Sequence, residues 1–428
     1  MTNNNIDRRI VLIWVAFLTW VANGLFIDVR SALLHPESTD VSAYIAAARI
    51  KADEGAGIHD LDKLHAAGRR AGVTGEARSY LYPPPFAELL VGTAGVDFIK
   101  LRVAWIAATY ASVVVLFGFL IQLTSRHGVS PLLASLVTFG LIVAFSPIQR
   151  EIFYGQASIF CATLTVLAMW LDKRSRAVLS GVAAGVATII KIYPGVVLAG
   201  YLLNRRWTAF SAGVVAMILI AAASIASYGI ADWLSFIRVH LAEGASAGIL
   251  YADPSRGYLE APNYSLTQVL YLLAHSLGLE WSPAALGHFS RIALFAGGIA
   301  FLLAFRKELA ATRSLLAWCH AIFLFFLPSS IVFWNHVFVF YLPGLVLTGA
   351  VLLEQPRGLT APFILWTAGA AAMAVADFGP NLGILNSGML LVLKPVKFYG
   401  LVIHAVAFAW MLKAGMLAAR TQPETVAS

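Results

Sequence analysis

Long apolar runs recur along almost the whole chain, and no other feature restricts its fold as much. They lie at roughly 10–27, 100–122, 131–148, 157–171, 177–191, 207–228, 285–305, 314–327, 337–353, 360–376 and 398–416. Hydrophobic residues are 59% of the 428 and charged residues 12%, with a mean hydropathy of +0.78. A soluble fold cannot hide that much apolar surface, so the sequence predicts a polytopic membrane protein. A backbone in lipid must satisfy its own hydrogen bonds, so these segments read as helices. Shorter apolar pieces at 84–96, 193–203, 264–278 and 381–393 fall short of a hydrocarbon core of about 30 Å. They read as re-entrant or half-length helices, which gives an all-α bundle of about 10–13 spans. The first segment lacks a small-residue cleavage site and reads as a signal anchor.

Basic residues orient the chain. Arg8 and Arg9, Arg126 and His127, Lys173-Arg174-Ser175-Arg176, Arg205-Arg206, Arg306-Lys307 with Arg313, Arg357, Lys413 and Arg420 recur on one side. The positive-inside rule makes that side cytoplasmic, together with both termini. The opposite loops are then 28–83, 149–156, 229–263, 328–336 and 377–397. Residues 1–420 read as one transmembrane domain, and 421–428 as a disordered polar tail. Lys191, Lys394 and Lys397 sit near the outer side, against the trend. Such cations either snorkel to the interface or meet an anionic group. The net charge of +8 fits basic cytoplasmic loops and gives no reason to expect nucleic acid. Cys161 and Cys319 lie inside apolar segments and suggest neither a disulfide framework nor a metal site.

The first outer loop carries structure of its own. Val41, Tyr44, Ile45 and Ala48 fall on one face with Arg49 and Lys51 opposite, the pattern of a short amphipathic helix lying in the interface. Ser38 or Thr39 could cap it, leaving Asp40 in the first turn near the positive end of the helix dipole. Ile58 to Arg69 reads as a second short helix, with Gly55 and Gly57 as the break. The chain then re-enters the membrane through Tyr82-Pro83-Pro84-Pro85.

Polar or rigid groups mark several points where a span meets the outer face. They are Asp40 with Tyr44, Tyr82-Pro83-Pro84, Gly155-Gln156, Gly181 to Gly185 followed by Lys191-Ile192-Tyr193-Pro194, and Trp334-Asn335-His336. A basic turn, Asn204-Arg205-Arg206-Trp207, comes before the last of these. In this order the set resembles the bacterial polyprenol-phosphate-dependent glycosyltransferases of family 87. That family includes the mycobacterial mannosyltransferases of phosphatidylinositol mannoside synthesis and has the GT-C membrane fold. The resemblance runs from about residue 28 to 345. It departs from the commoner pattern at Asn335 and in the third proline after Tyr82.

The resemblance implies an inverting hexosyltransferase of the bacterial inner membrane, working at the periplasmic face. It implies a donor sugar on a polyprenyl phosphate, usually mannose, and a lipid-linked or envelope glycan acceptor. By the same likeness Asp40 matches the catalytic aspartate and His336 the histidine of the Trp-x-His motif. An ionised carboxylate can take the acceptor proton, and positive charge must meet the leaving phosphate. Lys191 and Arg150 are the candidates for the phosphate. Tyr44, Tyr82, Gln156 and Trp334 are available to hold the sugar, and Asn263 to line the site. Glu151 with Asp40 could hold a divalent cation, but two acids far apart in sequence are a poor ligand set, so no metal or other cofactor is expected. The alternative is a transporter or flippase of a lipid-linked sugar. That would favour inverted repeats and mid-membrane ionisable residues, and the sequence displays neither.

The topology is checked by reporter fusion after Ala66. An enzyme active only outside the cytoplasm should be active there, and a cytoplasmic signal at that point would reverse the orientation.

Overall fold

The structure, a computed structural model, describes residues 7–35, 39–238, 264–329, 334–355, 360–375 and 388–418. Asn263, most of the outer loop 229–263, Arg357 and the 421–428 tail lie outside the described residues. The first half of the chain forms α1 (Arg8–Leu34), α2 (Asp40–Asp53), α3 (Leu61–Arg70), α4 (Pro84–Leu89), α5 (Phe98–Ser125) and α6 (Pro131–Ala144). It continues through α7 (Ser146–Tyr154), α8 (Ser158–Lys173), α9 (Ala177–Ile190), α10 (Gly195–Leu203), α11 (Trp207–Tyr228) and α12 (Ala231–Phe236). The remainder holds α13 (Leu266–Ser276), α14 (Pro283–Ala304), α15 (Arg306–Ala311), α16 (Leu315–Phe326), α17 (Leu342–Glu354), α18 (Ala361–Ala374) and α19 (Val396–Lys413). No strand occurs among the described residues.

Six of these stretches are long and apolar enough to cross a membrane: α1, α5, α11, Ala285–Ala304 within α14, the run Asn335–Glu354, and α19. The protein is therefore a multi-pass membrane protein of all-α architecture. The segment 131–148, expected as one span, is broken. Phe145 is extended, and α7 restarts at Ser146-Pro147 with a bend of 55° from α6. Proline suits a helix start because its missing N–H has no intrahelical partner there anyway. The segments at 157–171, 177–191, 314–327 and 360–376 form α8, α9, α16 and α18. With 16, 14, 12 and 14 residues these are shorter than a full crossing. Among the described residues six helices, or seven if the bent pair is one span, have the length and composition of a crossing, against the roughly 10–13 spans read from the sequence. α1 runs past the expected end of its span, and Asp28 accepts a hydrogen bond from the Tyr110 hydroxyl of α5 at 2.7 Å.

The basic turns gather at one end of the bundle. Arg126 donates to the Lys173 carbonyl at 3.0 Å and Lys173 to the Arg313 carbonyl at 3.3 Å. Arg206 pairs with Asp172 beside them. Lys397, expected near the other end, is fully buried. It donates to the Ser146 hydroxyl and the Met373 carbonyl, each at 2.9 Å, and to the Val375 carbonyl.

Glycines set a close helix pair. A Cβ at Gly181 would lie 2.0 Å from the Ala209 carbonyl oxygen, and one at Gly185 would lie 2.4 Å from that of Gly213. The glycine-x-x-x-glycine spacing thus lets α9 press directly on the backbone of α11.

The loop between α1 and α5 folds into a unit with its own apolar core. Val41, Tyr44, Ile45, Ile50, Leu64, Tyr80, Tyr82, Phe86, Phe98 and Trp105 pack together. The helix predicted over 41–51 exists, but its surroundings differ from those of an interfacial amphipathic helix. Nearly every residue of α2 is buried, and Lys51, assigned to the polar face, is fully enclosed. The reason is ionic. Lys51 pairs with Asp232 at 2.8 Å and Glu88 at 3.2 Å, and its ammonium lies 4.7 Å from the Tyr228 ring centre. Asp232 also accepts the Gly57 N–H at 2.8 Å, and Glu88 accepts from Ser224 at 2.8 Å. One lysine thereby joins α2, α4, the end of α11 and α12.

Removing one member of a buried ionic cluster leaves the others uncompensated, at a cost of about 3–5 kcal/mol. Lys51→Met should therefore lower the thermal midpoint of the purified protein markedly. An unchanged midpoint would remove the cluster as the anchor of the outer unit.

Candidate active site

Asp40 is the first residue of α2, as the sequence suggested, and Thr39 is the N-cap, although its side chain makes no capping bond. Ser38 lies outside the described residues. The carboxylate is mostly covered, with 18% of the side chain exposed, and Arg78 Nε approaches Oδ1 at 3.7 Å. Burial pushes the Asp40 acid from 3.8 up to about 6, while the charges of Arg78 and Lys191 pull the other way.

Gly155 places the next part of the site. It ends α7 in the left-handed region at φ +70°, and a Cβ there would lie 2.4 Å from Val41 Cγ2. Only glycine lets the turn carrying Gln156 sit directly under the start of α2. On the other side, α9 ends at Ile190 and leaves Lys191 extended, with Pro194 opening the turn into α10.

These elements bring a continuous hydrogen-bonded chain together beside Asp40. Tyr44 donates to Tyr82 at 2.8 Å, and Tyr82 donates to Gln156 Oε1 at 2.7 Å. Lys191 Nζ donates to the same oxygen at 3.4 Å and to Ser158 Oγ at 2.5 Å. The directions are forced. An ammonium only donates, so the Gln156 atom facing it is the carbonyl oxygen. Tyr82 must then spend its single proton on Gln156, and Tyr44 must spend its own on Tyr82. The Ala157 N–H adds a weaker bond to Tyr82 at 3.4 Å. Aromatic rings wall the chain: Tyr44 lies 5.1 Å from Phe86 and 5.0 Å from Trp105, and the Lys191 ammonium lies 5.3 Å from the Tyr82 ring centre.

Asp40, Tyr44, Tyr82, Gln156 and Lys191 are thus gathered as expected. His336 is buried in the 3₁₀-helix Asn335–Tyr341, which packs against α7 and α8, and its ring senses the charge of Lys191. Trp334 packs on His336 at 5.5 Å between ring centres. Arg150 is less direct: its guanidinium lies 5.9 Å from the Tyr154 ring, which Arg78 also approaches, at 5.7 Å. Asn263 lies outside the described residues. Arg78 and Ser158 were not anticipated. A lone arginine in the polar run 74–79 carries no pattern, and the only signal for Ser158 was its place two residues after Gln156. Among the described residues no group of three or more His, Cys, Asp or Glu side chains could hold a metal ion.

A base-range carboxylate, a cation and an aromatic-lined polar floor, at one end of a membrane bundle, suit group transfer onto or from a lipid-borne substrate. The model of glycosyltransferase family 87 matches residues 80–330, more than half of the chain. The protein belongs to that family and is a membrane glycosyltransferase, which sets aside the transporter reading. The match takes in Tyr82, Arg150, Gln156 and Lys191, while Asp40 and Tyr44 precede it and Trp334 and His336 follow it. No curated protein matches the chain. Among solved structures, ArnT from Cupriavidus metallidurans in the apo state is similar with 13% identity and a TM-score of 0.35. The alignment covers 94% of this chain and 76% of that one. A likeness at that level carries no argument about the fold.

Because Asp40 is raised, the folded protein holds this proton more tightly than the unfolded chain does. Ionising it costs stability progressively between about pH 4 and pH 6, and the cost is fully present above that window. Asp40→Asn should therefore match or exceed the wild type in thermal stability at neutral pH, by on the order of 2 kcal/mol. The difference should vanish near the acid end of the window. A variant less stable than wild type at neutral pH would mean that the carboxylate is a structural anchor.

Proposed function

We propose that the protein transfers a hexose, mannose by family likeness, from a polyprenyl phosphate to a lipid-linked or envelope glycan acceptor. The reaction inverts the anomeric centre and takes place at the periplasmic face of the bacterial inner membrane. The observation that supports this reading best is the placement of Asp40, with its acid raised to about 6, within electrostatic reach of the Lys191 ammonium.

In this reading Asp40 removes the acceptor hydroxyl proton as that oxygen attacks the anomeric carbon. The bond from that carbon to the phosphate oxygen breaks, and its electron pair leaves with the phosphate. The phosphate gains negative charge as the bond breaks. Lys191 is fixed by Gln156 and Ser158, so it meets that charge without reorganising. His336 donates to the phosphate or orients the acceptor. Trp334 offers a ring face to the sugar, while Tyr44 and Tyr82, buried and hydrogen-bonded to each other, hold Gln156 in place beneath it. The apolar bundle accommodates the polyprenyl tail, and no cofactor takes part.

The test is transfer from polyprenyl-phosphate-mannose to extracted envelope lipids by the purified protein. Asp40→Asn should lose about 10²–10⁴-fold in turnover. Equal rates for variant and wild type would remove Asp40 as base, and transfer only from a different lipid-linked sugar would replace mannose. A second measurement follows from the raised acid. Activity needs Asp40 ionised, so kcat/KM should fall about tenfold per pH unit below about pH 6 and flatten above it. A profile flat through that range would rule out this base.

A further inference from the structure

Glu151 is a fully buried carboxylate that the proposed mechanism does not use. It lies in α7, four residues before Gly155. Its Oε2 accepts the Ile159 N–H at 3.3 Å, and its Oε1 has no hydrogen-bond partner among the described residues. Ser158, on the same helix start, accepts from Lys191 at 2.5 Å, and its hydroxyl also approaches the Glu151 carboxylate. The serine therefore stands between the acid and the ammonium.

We propose that Glu151 is the counter-charge that keeps Lys191 cationic through the transfer, a positioning residue acting through Lys191 and Ser158. A cation held among apolar and aromatic walls needs a nearby anion to stay charged. The titratable groups facing Lys191 are Glu151 from α7, Asp40 from α2, Cys161 from α8, Tyr82, and His336 from the 3₁₀-helix. The Tyr193 ring also lies 5.9 Å away. Of these only the two carboxylates are acidic enough to ionise near neutral pH, and burial raises Glu151 to about 7, so its counter-charge is present above that pH. Asp40 already faces Arg78, and as the base it becomes neutral when it takes the acceptor proton. From that moment Glu151 is the protein anion left beside Lys191, while the departing phosphate gains charge on it. The inference rests on the reading of Lys191 as the phosphate contact.

A bland role competes, because Glu151 also caps the start of α8 through Ile159. Glu151→Gln separates the two, since an amide oxygen still accepts that N–H while the charge is gone. The readout is affinity of the detergent-purified full chain for undecaprenyl phosphate as a function of pH, with turnover measured alongside. Wild type should lose affinity at alkaline pH as Lys191 deprotonates, and Glu151→Gln should move that midpoint down by about one pH unit or more. In a Lys191→Arg background the guanidinium stays charged unaided, so Glu151→Gln should no longer move the pH dependence.

If Glu151→Gln weakens binding equally in both backgrounds with no shift in midpoint, the residue is only a helix cap and the inference falls. If Glu151→Gln does not fold, Ser158→Ala serves in its place. It removes the bridge and should lower affinity with Lys191 present but not with Arg, and equal effects in both backgrounds overturn the proposal. Failure of the underlying reading looks different: Lys191→Met would then bind undecaprenyl phosphate as tightly as wild type.

Discussion

Lys191 is an ammonium at the end of an apolar helix, and much of the site is arranged by what it can donate to. It fixes the amide of Gln156, and the amide fixes the hydroxyl directions of Tyr82 and Tyr44. It also draws Ser158, and with it the start of α8, toward the same point. Lys191 itself is placed by the close pairing of α9 with α11, where two glycines let one backbone rest on another. A side chain at either glycine would push α9 away and carry the lysine with it. The electrostatics of the site therefore rest on a packing constraint inside the bundle.

The outer unit is held by a second lysine working in the opposite manner. Lys51 is enclosed by two carboxylates and an aromatic ring, and its charge is fully engaged. It fastens α2 to α4 and to the far ends of α11 and α12. α11 thus supports both halves of the site: its glycine-contacting face positions Lys191, and its end positions the helix that begins with Asp40. A base on a loop and a cation on a span are held in register by one shared helix.

Much of this was legible in the sequence. Apolar runs marked where helices form, although only some of these are long enough to cross a membrane, and the basic turns marked the end at which they gather. Asp40, Tyr44, Tyr82, Gln156 and Lys191 stood out because polar groups at the edges of apolar runs need a reason to be there. What failed was local. The pattern at 41–51 looks amphipathic because Arg49 and Lys51 are charged, but sequence periodicity cannot reveal that Asp232, far along the chain, neutralises Lys51 from the other side. The break at Phe145 lies inside a run whose hydropathy is continuous, and only Pro147 hinted at it. Arg78 carries no periodic or motif signal, since its value comes from where the end of the outer loop folds back onto Asp40.

The forced directions of the hydroxyl chain have a consequence for turnover. Tyr44 and Tyr82 both spend their protons away from Asp40, toward an amide oxygen that is already occupied. A proton relayed from Asp40 through the two hydroxyls would end on the Gln156 amide oxygen, which is a very weak base, so the floor of the site is closed to proton flow. The way out is the half-exposed side of the site, where Arg78 meets water. Recharging the enzyme for another cycle is then an exchange with solvent at the mouth, and a bound product that covers the mouth also delays it.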